Sequence, residues 1–152
     1  MKDFNKRAKE IIKKIQYITI ATSSNNQPWN SPVYSVHDEH YNFYWASWKE
    51  NVHSKNIRNN PRVFLVIYDS TVPEGTGEGL YVKATAKELE KVEELEKALS
   101  LLYERKTYKR DWSEFTGDYP RRVYKATPEQ AWMNSDDKIN GHFIDKRVEI
   151  KL

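Results

Sequence analysis

Residues 45–62, WASWKENVHSKNIRNNPR, hold the clearest fold signal in the chain. The aromatic run before Ser47 predicts the end of a β-strand, and residues 51–60 predict a short helix. This helix ends at Asn60 because a residue that precedes proline avoids helical angles. Residues 62–68, RVFLVIY, then form an almost continuous β-branched and aromatic run. Such a run predicts a central strand that is buried on both faces.

Upstream of this stretch, the pattern predicts a helix and three strands. Residues 1–16 form a charged amphipathic stretch whose apolar side chains recur at helical spacing: Phe4, Ala8, Ile11, Ile12 and Ile15. Residues 17–22 (YITIAT) and 29–36 (WNSPVYSV) predict two strands joined by the turn residues between them. Residues 41–47 predict a third strand, so the three strands are expected to be consecutive and antiparallel.

Downstream, residues 69–79 contain three of the five glycines and predict a flexible loop at the edge of a site. A strand is predicted over residues 80–89. It precedes a helix whose apolar residues recur at helical spacing: Val92, Leu95, Leu99 and Leu102. Residues 121–132 and 142–150 predict the two last strands. Short strands in even succession, with only peripheral helices, predict a mainly β protein. Its antiparallel strands close, or nearly close, into a barrel, because closure removes exposed edges.

Composition narrows the class of protein. A chain of 152 residues with 38% hydrophobic residues predicts a single domain over residues 1–152. No apolar run approaches the roughly 20 residues of a membrane helix, and residues 1–16 lack a signal-peptide core, so we expect a cytoplasmic protein without a membrane partner. A net charge of +3 is too small to indicate nucleic acid. The absence of cysteine excludes disulfides, thiolate nucleophiles and iron–sulfur clusters.

The clearest candidate for chemistry is the start of the helix predicted for residues 51–60. His53, Ser54 and Lys55 combine there with the free N–H groups of a first helical turn. A hydroxyl donor, a cation and a positive helix end suit a phosphate group. Ordinary helix capping and a solvated lysine explain the same residues, so spacing alone leaves both interpretations open.

Aromatic residues are abundant, with five tryptophans and ten tyrosines. Several stand at predicted strand ends, where a planar ligand could stack: Trp29, Trp45, Trp48 and Trp132. Packing in a small barrel or at a dimer interface explains each of them equally well. His37 and His40 have metal-ligand spacing, but no third fixed ligand is evident, so we predict no metal site. The glycine and serine motifs of nucleotide-binding domains and hydrolases are absent.

In their order along the chain, these segments resemble the pyridoxamine 5'-phosphate oxidase-related, FMN-binding split-barrel superfamily in its small single-domain form. The most specific piece is the lysine before the Asn-Ile-Arg-x-Asn-Pro-Arg-Val junction. The resemblance covers most of the chain and rests on YITIAT, QPWNSPVYSV, YNFYWAS, HSKNIRNNPRVFLVIY, GLYVKATAKEL and YKATPEQAWMN. It implies a Greek-key antiparallel split β-barrel and a homodimer with flavin sites at the subunit interface.

The resemblance also implies roles for particular residues. Ser54 and Lys55, helped by His53, would hold the FMN phosphate. The isoalloxazine ring would be lined largely by the backbone of two segments, Asn30, Ser31, Pro32 and Val33 in the first and Trp45, Ala46 and Ser47 in the second. Trp132 would approach the flavin from the same subunit or from the partner.

The activity implied is that of an oxidoreductase passing hydride or electrons between NADH or NADPH and a small acceptor. Residues 142–152 contain no convincing equivalent of the segment that binds pyridoxamine phosphate, so we do not expect that exact reaction. Two alternatives stay open. One is a non-catalytic module that binds or senses flavin or haem, with His142 as the axial ligand. The other is a deazaflavin-dependent reductase in which the basic first helix serves the acidic tail, although a solvated helix face explains the same lysines.

Overall fold

The structure is a computed structural model and describes residues 3–104 and 106–152. Met1 and Lys2, the first residues of the predicted amphipathic stretch, lie outside the described residues. The helices are α1 (Phe4–Lys14), α2 (Val52–Asn59) and α3 (Val92–Tyr103), with a 3₁₀ turn at Trp112–Phe115. The strands are β1 (Tyr17–Ser24), β2 (Gln27–Tyr34), β3 (Val36–His37), β4 (Phe43–Trp48), β5 (Arg62–Tyr68), β6 (Gly79–Glu88), β7 (Arg121–Asn134), β8 (Lys138–Ile139), β9 (His142–Phe143) and β10 (Arg147–Ile150).

One antiparallel sheet contains most of the strands. Its order is β2-β1-β5-β6-β7-β4-β3, and β10 also pairs with β7. Within the described ranges the two ends of this order do not pair, so the curled sheet is a split barrel. The predicted mainly β antiparallel fold is confirmed.

Two strand predictions need correction. β4 does not lie beside β2 as a third consecutive strand, because it pairs along its length with β7 in the register Phe43↔Ala126 to Trp48↔Arg121. The predicted strand over residues 142–150 consists of two short pieces, β9 and β10. Sequence spacing does not disclose these pairings, since the partners of β4 lie far along the chain.

The prediction that β5 is buried on both faces is wrong. Val63, Leu65 and Ile67 point into the core, whereas Phe64 and Tyr68 on the other face are exposed. Adjacent residues in a strand point to opposite faces, and no other part of residues 3–104 and 106–152 buries the second face. We call the sheet side that carries Phe64 and Tyr68 the outer face.

Two apolar clusters hold the elements together. The larger one lies inside the curl of the sheet and includes Ala8 and Ile12 of α1 and Ile57 of α2. The smaller one joins α3 to the opposite side of β4 and β7.

Helices α1 and α2 lie at opposite ends of the sheet. Arg7 of α1 pairs with Glu78, just before β6, and Arg58 of α2 pairs with Glu88, the last residue of β6. The 10 residues of β6 extend over about 30 Å. No helix in the described ranges is long and apolar enough to cross a membrane.

Candidate functional site

The first turn of α2 carries the free donors that the sequence predicts. Asn51 is the N-cap, but its side chain makes no capping hydrogen bond. The first helical bond runs from Lys55 N to Asn51 O at 3.0 Å. The N–H groups of the three residues between them therefore have no partner within the helix. This positive helix end can accept an anion.

His53 lies beside this helix end. It is only 5% exposed, and its Nδ1 is 3.2 Å from Ser31 Oγ on β2. Trp29 Nε1 donates to the same Ser31 Oγ at 2.9 Å. A hydrogen-bonded row of Trp29, Ser31 and His53 thus connects β2 to the start of α2.

The other ring nitrogen of His53 has no partner. Nε2 is buried, and no described group forms a hydrogen bond with it. Burial lowers the pKa of His53 from its ordinary value, because the charged form loses its hydration. At neutral pH the ring is therefore uncharged. Buried polar atoms are nearly always hydrogen-bonded, so an unpaired one next to free N–H groups is a candidate contact for a ligand.

Ser54 and Lys55, unlike His53, already have partners for their polar side-chain groups. Ser54 is completely buried, and its Oγ donates to the Trp48 carbonyl at 2.9 Å, which fixes the turn between β4 and α2. Lys55 is half exposed and pairs with Glu50 at 3.3 Å. In the single chain, therefore, the hydroxyl supports the turn and the ammonium group lies at the rim of the helix end.

The segment of β2 predicted to line a flavin ring is at the edge of the sheet. Among the described strands, β2 pairs only with β1. Ser31 and Val33 pair with the inward-facing Ile20 and Ile18, whereas Asn30 and Pro32 are exposed on the outer face. An edge strand leaves part of its backbone N–H and C=O groups unpaired. Those groups are available to a ligand, as the predicted backbone contacts require.

The segment of β4 predicted to line the ring is mostly internal. Trp45 is completely buried and stacks on Tyr124, with ring centroids 5.6 Å apart. Its Nε1 is the other buried side-chain nitrogen without a partner in the described part of the chain. Ser47 is buried and Ala46 is half-buried. Because the indole is held in the core, this segment offers a ligand its backbone and the unpaired Trp45 Nε1.

Trp132 is not close to these residues. It stacks on Phe64 with centroids 6.3 Å apart and stands opposite Tyr81 on the outer face. The structure brings together the start of α2, His53 and β2, but it places Trp132 on the other side of the sheet. The basic face of α1, considered for an acidic cofactor tail, lies at the far end of the sheet from α2 within one chain.

Two contacts of this site were not predicted. Trp29 supplies a hydrogen bond to Ser31, and Asn56 donates to Thr22 of β1 at 3.0 Å in a buried contact that anchors α2. The Trp-x-Ser spacing contains a usable signal, because residues two apart in a strand share a face. The contact between Asn56 and Thr22 had no local signal, since 34 residues separate the two.

Comparisons with known proteins point to one family. Residues 4–135 match the sequence profile of the pyridoxamine 5'-phosphate oxidase family. UPF0306 protein PM1958 of Pasteurella multocida is 37% identical over 68 residues, which make up 44% of this chain and 46% of that protein. The match thus spans less than half the length of this relative.

Solved structures share the fold. HutZ, the heme storage protein from Vibrio cholerae, superposes with a TM-score of 0.69 at 19% identity, covering 85% of this chain and 92% of that one. A FAD-binding protein from Mesorhizobium loti superposes with a TM-score of 0.63 at 19% identity, covering 84% and 91%. Since the family profile extends over most of the described residues and the fold agrees, the chain belongs to the pyridoxamine 5'-phosphate oxidase family of split β-barrels.

Proposed function

We propose that this protein binds FMN at the start of α2 and acts as an oxidoreductase between a reduced nicotinamide and a small acceptor. The observation that carries the proposal is the uncapped first turn of α2 next to the buried, unpaired Nε2 of His53. Membership of a family with a flavin-binding structural neighbour supports it. Bound flavin supplies the hydride and electron chemistry, while the protein holds and orients it.

The hydrogen bonds around Ser31 indicate how His53 would meet a phosphate. Ser31 Oγ accepts from Trp29 Nε1, and its own hydrogen is left to donate to His53 Nδ1. A histidine that accepts at Nδ1 carries its hydrogen at Nε2 in the neutral form. Nε2 is then a donor, which matches an anion. The N–H groups of the first turn add further donors at the same helix end.

Two more features would complete the cofactor site. The unpaired backbone of β2 between Asn30 and Val33 offers donors and acceptors to a flat ring. Lys55 adds positive charge at the rim, although Glu50 competes for it. Ser54 would act by holding the β4–α2 turn rather than by touching the phosphate, because its hydroxyl is already engaged.

We further propose a homodimer that covers the outer face. Phe64 and Tyr68 are 37% and 48% exposed in the single chain, and the stacked Trp132 extends the same apolar surface. Aromatic rings are enriched at protein interfaces, and an exposed apolar sheet face needs a cover. In such a dimer, Trp132 would reach the flavin held by the partner subunit, which favours that alternative over a contact within one chain.

Light scattering after gel filtration tests the dimer. We expect a dimer for the native chain and a monomer for Phe64→Lys, because a charge in the centre of the face cannot be buried without a partner. Tyr119→Lys is the matched control, since Tyr119 is an exposed ring outside this face. A native monomer would contradict the dimer but leave FMN binding to be judged separately.

Absorption spectra test the cofactor and the activity. We expect added FMN to give a bound spectrum that differs from that of free FMN, and NADPH without oxygen to bleach it. FMN that binds but stays oxidised would contradict the nicotinamide step. A protein that stays colourless after FMN is added would contradict the proposed function as a whole.

A haem-binding module is the second candidate. His142 is exposed in β9, so its ring is open to an axial ligand role. The structural neighbour HutZ is described as a heme storage protein. A Soret band after haem is added, lost in His142→Ala but kept in His40→Ala, would favour this candidate over flavin.

A further inference from the structure

A cavity lies at the other end of the sheet from the α2 site. It is bounded by α1, by the chain from Tyr34 to His37, by Tyr41 and by the end of α3, and has a volume of about 390 Å³. Small-molecule sites typically measure about 300 to 1,000 Å³. Ser35 in this wall is four residues after Ser31, which corresponds to about 13 Å along an extended chain. The cavity is therefore separate from the candidate flavin site.

Aromatic rings form one wall. His37 and Tyr41 stack with centroids 5.5 Å apart at an angle of 19°, and Tyr34 lines the cavity beside them. Ile12, Val36 and Leu101 supply apolar surface. A flat apolar ligand can stack on rings that are already parallel to one another.

The turn that carries Tyr41 is rigid. Tyr41 has φ 58°, a left-handed conformation that costs energy for a residue with a side chain. Asp38 holds the turn, because it accepts hydrogen bonds from His40 N at 3.0 Å and from Asn42 N at 2.9 Å. The Tyr41 ring is thus held in place before any ligand arrives, which reduces the entropy lost on binding.

The rim of the cavity is positively charged. Lys9 Nζ lies 5.7 Å from the Tyr41 ring centroid, and Lys106 Nζ lies 5.0 Å from that of Tyr34. Lys13 also lines the cavity. None of these three lysines forms an ion pair with a described carboxylate, whereas Lys14, the next residue of α1, pairs with Asp69. Against them, Glu104 is the one acidic residue among the described residues of the lining.

The imidazole of His37, in the wall of the cavity, has a defined orientation. His37 Nδ1 is 3.0 Å from the Asp38 carbonyl oxygen. A carbonyl only accepts, so Nδ1 carries the hydrogen and Nε2 of the neutral ring is an acceptor that does not itself bind an anion. The parallel rings and the unpaired ammonium groups of the rim together match a flat ring that bears a negative group.

We propose that this cavity is a second small-molecule site and that it takes a planar aromatic carboxylate. The ring of the ligand packs between Ile12 and the stacked His37 and Tyr41, and its carboxylate faces Lys9 and Lys13. The proposal does not depend on FMN binding, because it uses other residues at the opposite end of the sheet.

A titration of the ¹⁵N-labelled native protein with 2-naphthoate tests it. We expect saturable amide shifts at Ile12, Ser35 and Leu101. The uncharged 2-naphthalenemethanol should bind about fivefold more weakly, the scale of one or two partly exposed ion pairs, and 2-naphthylmethylamine more weakly still. Equal affinity for the amine, shifts centred on α2, or no saturable shifts would each overturn the proposal.

A double variant tests the charges directly. Lys9→Gln with Lys13→Gln should weaken 2-naphthoate binding about five- to twentyfold and leave the affinity for the alcohol unchanged. Lys6→Gln is the matched control, because Lys6 is on the same helix but outside the cavity lining. Circular dichroism confirms that the variants fold. An equal loss in the control, or none in the double variant, would contradict the proposed role of the lysines.

Discussion

Two buried titratable side chains of this protein, Asp38 and His53, have opposite surroundings. Asp38 is 3% exposed, and its carboxylate accepts hydrogen bonds from Asn42, Tyr44 and Lys97 as well as from the turn backbone. His53 is equally buried but has one bonded nitrogen and one unpaired nitrogen. A buried polar group whose bonds are all made stabilises the fold, whereas one with a bond left over has capacity for a ligand.

The pKa values reflect the same difference. Burial by itself would raise the pKa of Asp38, but the hydrogen bonds from Asn42, Tyr44 and Lys97 outweigh it and hold the pKa well below its ordinary value. For His53, burial lowers the pKa and no hydrogen bond opposes it. Asp38 therefore stays charged at neutral pH and His53 stays neutral.

The largest effect is expected at Asp38. Asp38→Ala should lower the free energy of unfolding by about 3 to 5 kcal/mol, because it leaves buried donors without their acceptor. Urea unfolding followed by tryptophan fluorescence measures the loss. Glu39→Ala, at an exposed neighbour, should change it by less than about 0.5 kcal/mol. Equal losses in the two variants would show that the Asp38 hydrogen bonds do not stabilise the turn.

At His53 we expect binding rather than stability to suffer. His53→Leu should weaken FMN binding by about 1 to 3 kcal/mol, since it removes a buried donor to the phosphate. The cost to unfolding should be about 1 kcal/mol or less, the scale of the one hydrogen bond lost between Nδ1 and Ser31 Oγ, because Nε2 has no partner to lose. FMN titration and urea unfolding give the two numbers, with the exposed His40→Leu as control. Unchanged FMN affinity would remove His53 from the site.

Asp38 and His53 should lower the stability of the fold in different pH ranges as the solution is acidified. The unfolded chain takes up a proton at His53 near pH 6.5, but the folded protein does so only at lower pH. Stability should therefore fall as the pH drops below about 6.5, by at most about 1.4 kcal/mol per pH unit. Asp38 contributes its stability above about pH 4 and loses it only below that.

Urea unfolding at a series of pH values measures how the free energy of unfolding depends on pH. The decrease in this free energy between pH 7 and pH 5 should be smaller in His53→Leu than in the native protein, and it should persist in Asp38→Asn. A loss that is identical in the native protein and in His53→Leu would assign the acid sensitivity to other groups.

The smallest effects are expected at the rim of the α2 site. Lys55→Ala should weaken FMN binding by about 0.3 to 1 kcal/mol, the scale of an exposed charge that water and Glu50 already screen. Glu50→Ala should strengthen binding by a similar amount, because it frees Lys55 from its ion pair. FMN titrations at low and high salt check both signs. Changes of the same sign would show that the pair does not act on the ligand through charge.

Much of the fold was predictable because its signals are local. The helix α2 was expected at residues 51–60 and lies at Val52–Asn59, and the hairpin of β1 and β2 follows from the turn residues between them. The pairing of β4 with β7 was not predictable, because Trp48 and Arg121 lie far apart in the chain. The exposed side of β5 was also missed, since a continuous apolar run does not say whether one or both faces are covered.

The sequence by itself determined the element types, the family, and the presence of donors at the start of α2. These depend on interactions within a few residues, where spacing dictates geometry. Only the tertiary structure decided that His53 is buried beside Ser31, that Ser54 is engaged with Trp48, and that Trp132 lies on the outer face. Strand pairing and helix packing between distant segments decide on which side of the sheet a residue lies and which groups it contacts. Local sequence spacing does not indicate which distant segments will pair.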